Sequence, residues 1–534
     1  MYIDKYELTI DKLLVASVRN NPKQEISYKG EMKITYSEFR DRVYAMARGL
    51  VSLGLKKGDR VAMLDVDSLN YLVAYFAVPI SGGVLHTVNI RYSPELIFYT
   101  MQHANDRFVI IRDEFVPLVE KSIGLFGFVE KWIVCSDSGK TVSSIPESIT
   151  LESVINGGGG KNSLPELKED DLATTFYTSG TTGLPKGVVF SHRKIVLHVL
   201  SSMATLAYEP TRWKSSDVIM PLVPMFHVHA WGAPYGTLMA GMKYVLPGRY
   251  DFNKLPQMMA KEGVTVSLMV PSILYMLITS PGATDILKKL NLRVTVGGGA
   301  LPRGIAKKAE DAGIQVVGGY GMSETAPILT IGTFNRDAME MGHDEQFEYR
   351  LKAGIPISLV DLKVVDSGFR EVPWDSKTIG EIVVRAPWLT SEYVNDPEAT
   401  RKLWKNDWLN TGDLAVVDSS GYVSIVDREK DAVKSGGEFI PTIVIEDVLS
   451  SYPGVGEVAV VAKKDEKWGE RPVAFMTGLK TIDQEAIKAH LMKYVESGRI
   501  AKFWIPDEYI LVDAFEKTST GKIDKKPLKK RLEK

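Results

Sequence analysis

Twelve residues, Tyr177-Thr-Ser-Gly-Thr-Thr-Gly-Leu-Pro-Lys-Gly-Val188, hold four hydroxyl side chains after the tyrosine, three glycines and one lysine. A loop of this composition can close its backbone N–H groups around phosphate oxygens, because glycine reaches conformations barred to other residues. The hydroxyls add donors or a magnesium ligand, and Lys186 adds a positive charge. It is not a Walker A loop. Gly180 and Lys186 have that spacing, but Pro185 stands where its second glycine belongs and Gly187 where Ser or Thr belongs.

Four further segments offer groups of the same kind. Gly297-Gly-Gly-Ala-Leu-Pro302 follows a strand-like run, 293–296, and would present bare backbone to a flat heterocycle such as adenine. Strand-then-glycine turns are common, and alone this one says little. Gly319-Tyr-Gly-Met-Ser-Glu-Thr325 is richer. Tyr320 offers an aromatic face to a purine, Ser323 a hydroxyl to a phosphate and Glu324 a hard oxygen to Mg²⁺; a tyrosine-glycine turn ahead of a helix is the plainer account. Trp408-Leu-Asn-Thr-Gly-Asp413 ends on an acid that could accept from ribose hydroxyls, or on an ordinary Asp in a glycine turn. Thr518-Ser-Thr-Gly-Lys522 is a second glycine–lysine loop, and the basic run behind it (Lys525, Lys526, Lys529, Lys530, Arg531) reads by itself as a solvated end.

Such groups need elements to hold them. Residues 39–53 place Phe39, Val43, Met46, Ala47, Leu50 and Leu53 near helical spacing, glycines close the run, and residues 60–64 read as a buried strand. The rhythm continues through 72–78 and 108–111, and strands alternating with helices predict parallel sheets covered on both faces. The glycine run 157–160 reads as a solvated connection into the strand that feeds the phosphate loop. Residues 421–426 read as a strand ending at five consecutive charges, Asp427-Arg-Glu-Lys-Asp431, usually just a solvated turn. About a hundred residues follow with their own α+β pattern: strands near 458–462, 473–476 and 509–512, and a helix over 484–494. The expected architecture is α/β: a large multi-lobed N-terminal domain with parallel-rich, helix-covered sheets, and a small mobile α+β C-terminal domain.

At 534 residues the chain exceeds one compact core. A net charge of −1 argues against a nucleic-acid binder. No apolar run reaches ~18 residues, so no membrane span is expected. Neither the first residues nor the last match a signal peptide or a retention tail. Cys135 is the sole cysteine, which leaves no intrachain disulfide and no thiolate metal cluster. A cytoplasmic enzyme with small-molecule substrates fits.

The five segments occur in the order of the core motifs of the adenylate-forming superfamily, which includes acyl-CoA synthetases, firefly luciferase and peptide-synthetase adenylation domains. The chain resembles that superfamily over essentially its whole length. Tyr75-Phe-Ala-Val-Pro79, Leu85-His-Thr87, Pro224-Met-Phe-His-Val-His-Ala-Trp231 and Lys434-Ser-Gly-Gly-Glu438 are most similar to its bacterial and archaeal long-chain fatty acyl-CoA synthetases.

The resemblance implies ATP, Mg²⁺ and CoA, and a carboxylate that attacks the α-phosphorus of ATP. Thr178, Ser179, Gly180, Thr181, Thr182, Gly183 and Lys186 would cradle the departing phosphates. Thr181 and Glu324 would hold Mg²⁺, and Ser323 would touch the α-phosphate. Gly298, Gly299, Ala300 and Tyr320 would bound the adenine, Asp413 with Arg428 would fix the ribose, and Gly319, Gly321 and Lys430 join the nucleotide-binding set. His227 joins Lys186, Glu324 and Lys522 in the catalytic set, with Lys522 bridging carboxylate and phosphate in the first half-reaction only. Val228, Trp231 and Gly298 would line the acyl pocket, with the Trp231 indole either the gate of a fatty-acid tunnel or, as its pattern equally allows, a packed core tryptophan.

The resemblance further implies a domain of residues 1–427, a hinge over 428–431 centred on Lys430, and a domain of 432–534 that swings about it. The swing would bring in a CoA loop with Lys434, Gly436, Gly437 and Phe439. The long-chain enzymes it resembles are often dimers through the N-terminal domain, so a homodimer is among the expectations. The chain departs from the family pattern at Glu516 and Lys525 around Lys522, and in Ser391-Glu-Tyr-Val394, which lacks the usual Gly-Tyr pair. His229, beside Trp231, would suit a short or hydroxylated acid. An acyl-AMP ligase that loads a carrier protein is the remaining alternative; the insertion such enzymes usually have before the hinge is not evident.

Overall fold

The computed structural model describes residues 6–138, 144–158, 163–178, 184–429, 431–436, 438–518 and 522–532. Two large sheets dominate. One has seven strands in the order Ile149–Thr150, Lys131–Cys135, Asp106–Arg112, Arg60–Leu64, Val84–Thr87, Leu172–Thr178, Lys186–Ser191, parallel except for the last pair. The other has nine, with a parallel centre running from Gln315–Gly321 through Arg293–Val296, Val266–Met269, Val218–Ile219 and Lys243–Leu246 to Glu25–Tyr28, and antiparallel strands at both edges. The parallel-rich, helix-covered architecture follows from strands that are apolar on both faces: all of Val84–Thr87 and all of Val266–Met269 are buried.

Helix Tyr36–Ser52 begins with a capping box, in which Thr35 Oγ1 accepts from Glu38 N at 3.2 Å and Glu38 Oε2 accepts from Thr35 N at 2.7 Å. Phe39, Val43, Met46, Ala47 and Leu50 form its buried stripe. Helix Leu69–Ile80 is apolar all round and buried except at Asn70, as a helix sealed within a core must be. Phe76 meets Phe39 edge-on at 5.8 Å and Tyr235 at 5.2 Å. Tyr75 donates its hydroxyl to the Met225 carbonyl, so this core helix holds the segment leading to Trp231. Gly158, read as part of a solvated run, instead lies against that first helix, where a Cβ would overlap the Ala45 carbonyl.

A third, antiparallel sheet joins Asp361–Val365, Gly380–Arg385, Trp408–Val417, Trp404–Lys405 and Val423–Arg428. Asp413 therefore sits inside a ten-residue strand rather than in a turn. The register slips between Glu381 and Val383 opposite it, and Gly412 takes φ +69°, a bulge that re-aims Asp413. The strand read at 421–426 runs Val423–Arg428, so the five-charge run starts inside a sheet. Asp427 is buried there and accepts from Thr442 N at 2.6 Å.

The C-terminal domain has its own core. Val458–Asp465 and Gly469–Met476 pair antiparallel, Glu508–Leu511 adds in parallel, and helices Thr442–Ser450 and Gln484–Glu496 cover the face. The basic end is not simply solvated. Lys525 donates to Thr442 Oγ1 at 2.9 Å and pairs with Glu446 at 2.6 Å, and Lys529 pairs with Asp431 at 2.9 Å. Among the described residues no helix is long and apolar enough to cross a membrane.

Candidate active site

The ends of these sheets and the C-terminal domain enclose a cleft of about 2000 Å³. That exceeds the roughly 300–1,000 Å³ of an ordinary small-molecule pocket and suits two substrates together. Thr178, Lys186, His227, Val228, Trp231, Gly298, Gly299, Ala300, Gly319, Tyr320, Gly321, Ser323, Glu324, Asp413, Arg428 and Lys522 all line it. Ser179, Gly180, Thr181, Thr182, Gly183, Lys430, Gly437 and the Phe439 side chain lie outside the described residues.

Strands Leu172–Thr178 and Lys186–Ser191 form a hairpin whose last register pair is Thr178 with Lys186, so these two residues flank the connecting segment in the chain. Gly187 is needed beside them: a Cβ there would stand 3.0 Å from the Tyr177 ring and 3.1 Å from Val394. Lys186 Nζ lies 5.0 Å from the centre of the Tyr393 ring. The same tyrosine donates its hydroxyl to Glu324 Oε1 at 2.6 Å. One ring thus contacts both the cleft-facing cation and the cleft-facing acid. Glu324 is only 7% exposed, and burial raises its pKa above the ordinary carboxylate value.

Strand Gln315–Gly321 leads into a short turn, Ser323–Thr325, which aims Ser323 and Glu324 at the cleft. A Cβ on Gly321 would overlap the Pro327 carbonyl, so no other residue fits that step. Tyr320 donates its hydroxyl to Asp413 Oδ2 at 2.7 Å, and Arg428 Nε donates to Asp413 Oδ1 at 3.1 Å. The ring, the acid and the guanidinium form a connected wall, Asp413 and Arg428 being direct register partners across two strands.

Trp231 lies across the next part of the cleft. Its ring stands 3.1 Å from where a Gly297 side chain would begin and 3.6 Å from the same point on Gly298. Residues Val228, His229, Ala230 and Trp231 all adopt left-handed backbone, with φ of 48°, 54°, 45° and 57°. Such backbone costs about 1–2 kcal/mol for each non-glycine residue. It is held upstream by Asp67, which accepts from Met225 N at 2.8 Å, and by Thr87 Oγ1, which donates to the Phe226 carbonyl at 3.0 Å.

The turn sends successive side chains to different sides. His229 hydrogen-bonds Thr174 Oγ1 at 2.6 Å and packs edge-on to Phe176 and Phe190, away from the cleft. It is a core histidine, and the reading that tied it to a hydroxylated acid fails. His227 does face the cleft, where burial and the positive charges of Lys522 and Arg91 push its pKa down to about 3.

Lys522 reaches in from the C-terminal domain, its Cε 3.6 Å from where a Gly298 side chain would begin. The two C-terminal loops are not treated alike. Lys434 and Gly436 do not line the cleft; Gly436, at φ +61°, donates its N–H to the Trp468 carbonyl at 2.8 Å. Among the described residues no cluster of three or more imidazole, thiol or carboxyl groups forms a metal cage. A magnesium ion here would be held by the Glu324 carboxylate together with nucleotide oxygens, the arrangement usual for Mg²⁺ at phosphate sites. A buried, cleft-facing carboxylate fits that use.

Sequence reasoning missed Tyr393, Arg91 and the pair Tyr177–His103, joined from Tyr177 OH to His103 Nδ1 at 2.8 Å. For Tyr393 a signal was present: the tyrosine stands where the family pattern has one, even though its preceding glycine is replaced by Glu392. Arg91 and His103 are brought to the cleft by the fold.

Residues 14–394 match the AMP-binding enzyme family, and residues 444–522 match the AMP-binding enzyme C-terminal domain. The long-chain-fatty-acid–CoA ligase of Thermus thermophilus is 39% identical over 94% of this chain and 91% of its own length. The medium-chain-fatty-acid–CoA ligase of Ectopseudomonas oleovorans is 34% identical over 98% and 96%. The crystal structure of the anthranilate CoA ligase AuaEII with anthranoyl-AMP superposes with a TM-score of 0.86 at 22% identity, covering 99% of this chain and 97% of that one, a likeness of fold. The order of the motifs, the two-domain cleft and these matches agree: the chain belongs to the AMP-binding enzymes of the adenylate-forming superfamily, and is an acyl-CoA ligase of the acid–thiol class.

Proposed function

We propose that this ligase activates a medium- or long-chain fatty acid as its acyl adenylate and passes the acyl group to CoA. In the first half-reaction a carboxylate oxygen bonds to the α-phosphorus of ATP and the bond to the β-phosphate oxygen breaks, releasing pyrophosphate. In the second the CoA thiol, giving up its proton, bonds to the acyl carbon and AMP leaves. Two anions must meet in the first step, so fixed positive charge near both is the main requirement.

Lys522 meets that requirement between carboxylate and α-phosphate, beside Gly298. Lys186 faces the leaving phosphates across the Tyr393 ring. Ser323 meets the α-phosphate, Tyr320 with residues 298–300 takes the adenine, and Asp413 with Arg428 the ribose. His227 stays neutral at physiological pH and can donate or accept one hydrogen bond at the reacting carboxylate without adding charge. When bound, Mg²⁺ supplies further positive charge at the phosphates; Thr181 and Glu324 would hold it.

The observation that carries the fatty-acid reading is the Trp231 indole against Gly297 and Gly298 on an apolar wall beside Lys522. His229 turns into the core, which weakens the case for a short or hydroxylated acid. The proposal divides the chain into residues 1–427, a hinge at 428–431, and a mobile domain of 432–534 whose loop with Lys434, Gly436, Gly437 and Phe439 serves the thiol step. A cytoplasmic site of action rests on the supply of ATP and CoA there, and a homodimer would be seen by light scattering.

Pyrophosphate release across a panel of acids, with and without CoA, tests the proposal. We expect the highest kcat/KM with medium or long chains and acyl-CoA as the product. Highest activity with a short or hydroxylated acid would overturn the chain-length assignment. Acyl transfer to a carrier protein but not to CoA would overturn the thiol assignment.

A further inference from the structure

We propose that Gly304 and Asp447 form a docking seat between the two domains that sets how far Lys522 reaches into the cleft. Both are positioning residues; the inference rests on the reading above, that Lys522 serves the adenylation step only.

Helix Arg303–Asp311 starts just after the glycine turn of the cleft, with Pro302 at its N-cap position and no side-chain cap of its own. The first N–H groups of a helix lack partners within it. Here the C-terminal domain supplies them: Asp447 Oδ1 accepts from Arg303 N at 2.6 Å and Ser450 Oγ from Gly304 N at 3.4 Å. Both acceptors lie on helix Thr442–Ser450. The fit leaves no room for a side chain. A Cβ on Gly304 would overlap the Ser450 carbonyl oxygen and stand 3.0 Å from its carbon and 3.3 Å from its hydroxyl. Gly304 needs no unusual backbone angle, being within an ordinary helix, so its glycine is explained by this close approach alone. Arg499 pairs with the other oxygen of Asp447 and keeps the acid aimed.

The same helix is tied at its other end to the loop of Lys522. Lys525, three residues beyond Lys522, donates to Thr442 Oγ1 at 2.9 Å and pairs with Glu446 at 2.6 Å. Thr442 N itself donates to Oδ2 of Asp427, in the N-terminal domain, at 2.6 Å. Helix Thr442–Ser450 is therefore a strut. Its last turn rests on the N-terminal domain and its first turns hold the segment that carries Lys522. Raising the rest raises the lysine, and a displacement of about 1 Å at a reacting group can cost on the order of 10²-fold in rate.

Gly304→Ala tests the seat, because alanine favours a helix more than glycine does and leaves the N-terminal domain folded. Carboxylate-dependent ATP–pyrophosphate exchange should fall at least about tenfold, toward 10²-fold, while thioester formation from pre-made acyl-AMP and CoA stays within about twofold. Asp447→Asn should lose exchange in the same direction and by less. Unchanged exchange in Gly304→Ala, or an equal fall in both half-reactions, would overturn the seat. Amide hydrogen exchange at Arg303 gives a readout free of chemistry: it should quicken several-fold in Gly304→Ala, since the Asp447 contact is loosened. An unchanged rate there would also overturn the seat. If the unaltered protein shows no exchange with any acid, the proposed function fails, and the amide measurement alone decides the seat.

Discussion

Tyr393 shows how much one side chain can organise, since its ring lies under Lys186 and its hydroxyl binds Glu324. If Glu324 carries magnesium, Glu324→Gln keeps the size and the hydrogen bond but removes the anion. The Mg²⁺ concentration for half-maximal adenylation should rise at least about tenfold with the fold intact, measured by titrating Mg²⁺ in the exchange assay. An unchanged Mg²⁺ dependence would refute the assignment. A second residue-scale prediction concerns Asp67, buried where it anchors Met225 and accepts from Tyr250 at 2.5 Å. Burial pushes its pKa from 3.8 up to about 7. The folded protein thus binds a proton that the unfolded chain releases between these values, so this group's contribution is fully present below 3.8 and lost as pH rises through about 7. Asp67→Asn should remove roughly 2 kcal/mol of the stability that the unaltered protein loses between about pH 5 and pH 7. Thermal unfolding at both pH values measures the difference, and equal pH slopes would contradict it.

At the scale of elements, the left-handed turn over residues 228–231 determines which side chains face the cleft. It sends Trp231 to the cleft and His229 to the core. Trp231→Ala should change the ratio of kcat/KM between a C6 and a C16 acid by at least about tenfold, the 1–3 kcal/mol typical of an altered pocket contact. The KM for ATP should barely move. A flat ratio with about 3–5 kcal/mol lost in stability would make it a packing residue. This turn was not legible in the sequence, because a run of non-glycine residues in that conformation has no local signal and is held by distant groups such as Asp67 and Thr87. Asp413 was legible as a candidate acid, and it does line the cleft, but it was not legible as a strand residue, because Thr411-Gly412 reads as a turn until a neighbouring strand pairs around the bulge. The buried strands and the helix over 36–52 were legible because their signals, apolar spacing and caps, are local.

At the scale of the whole molecule, the motif order foretold the two-domain cleft, since each motif supplies its own chemistry wherever the fold carries it. Long-range charge pairing was hidden. Lys525 and Lys529 look like a solvated tail until Glu446 and Asp431 stand beside them. Lys522 lies inside the cleft and Lys434 and Gly436 lie outside it; under the proposed function this is a division of labour. Lys522→Ala, assayed in its two half-reactions, tests that division most directly. Loss of the fixed charge should lower carboxylate-dependent ATP–pyrophosphate exchange by at least about 10²-fold, while thioester formation from pre-made acyl-AMP and CoA is retained. An equal loss in both half-reactions would contradict the account.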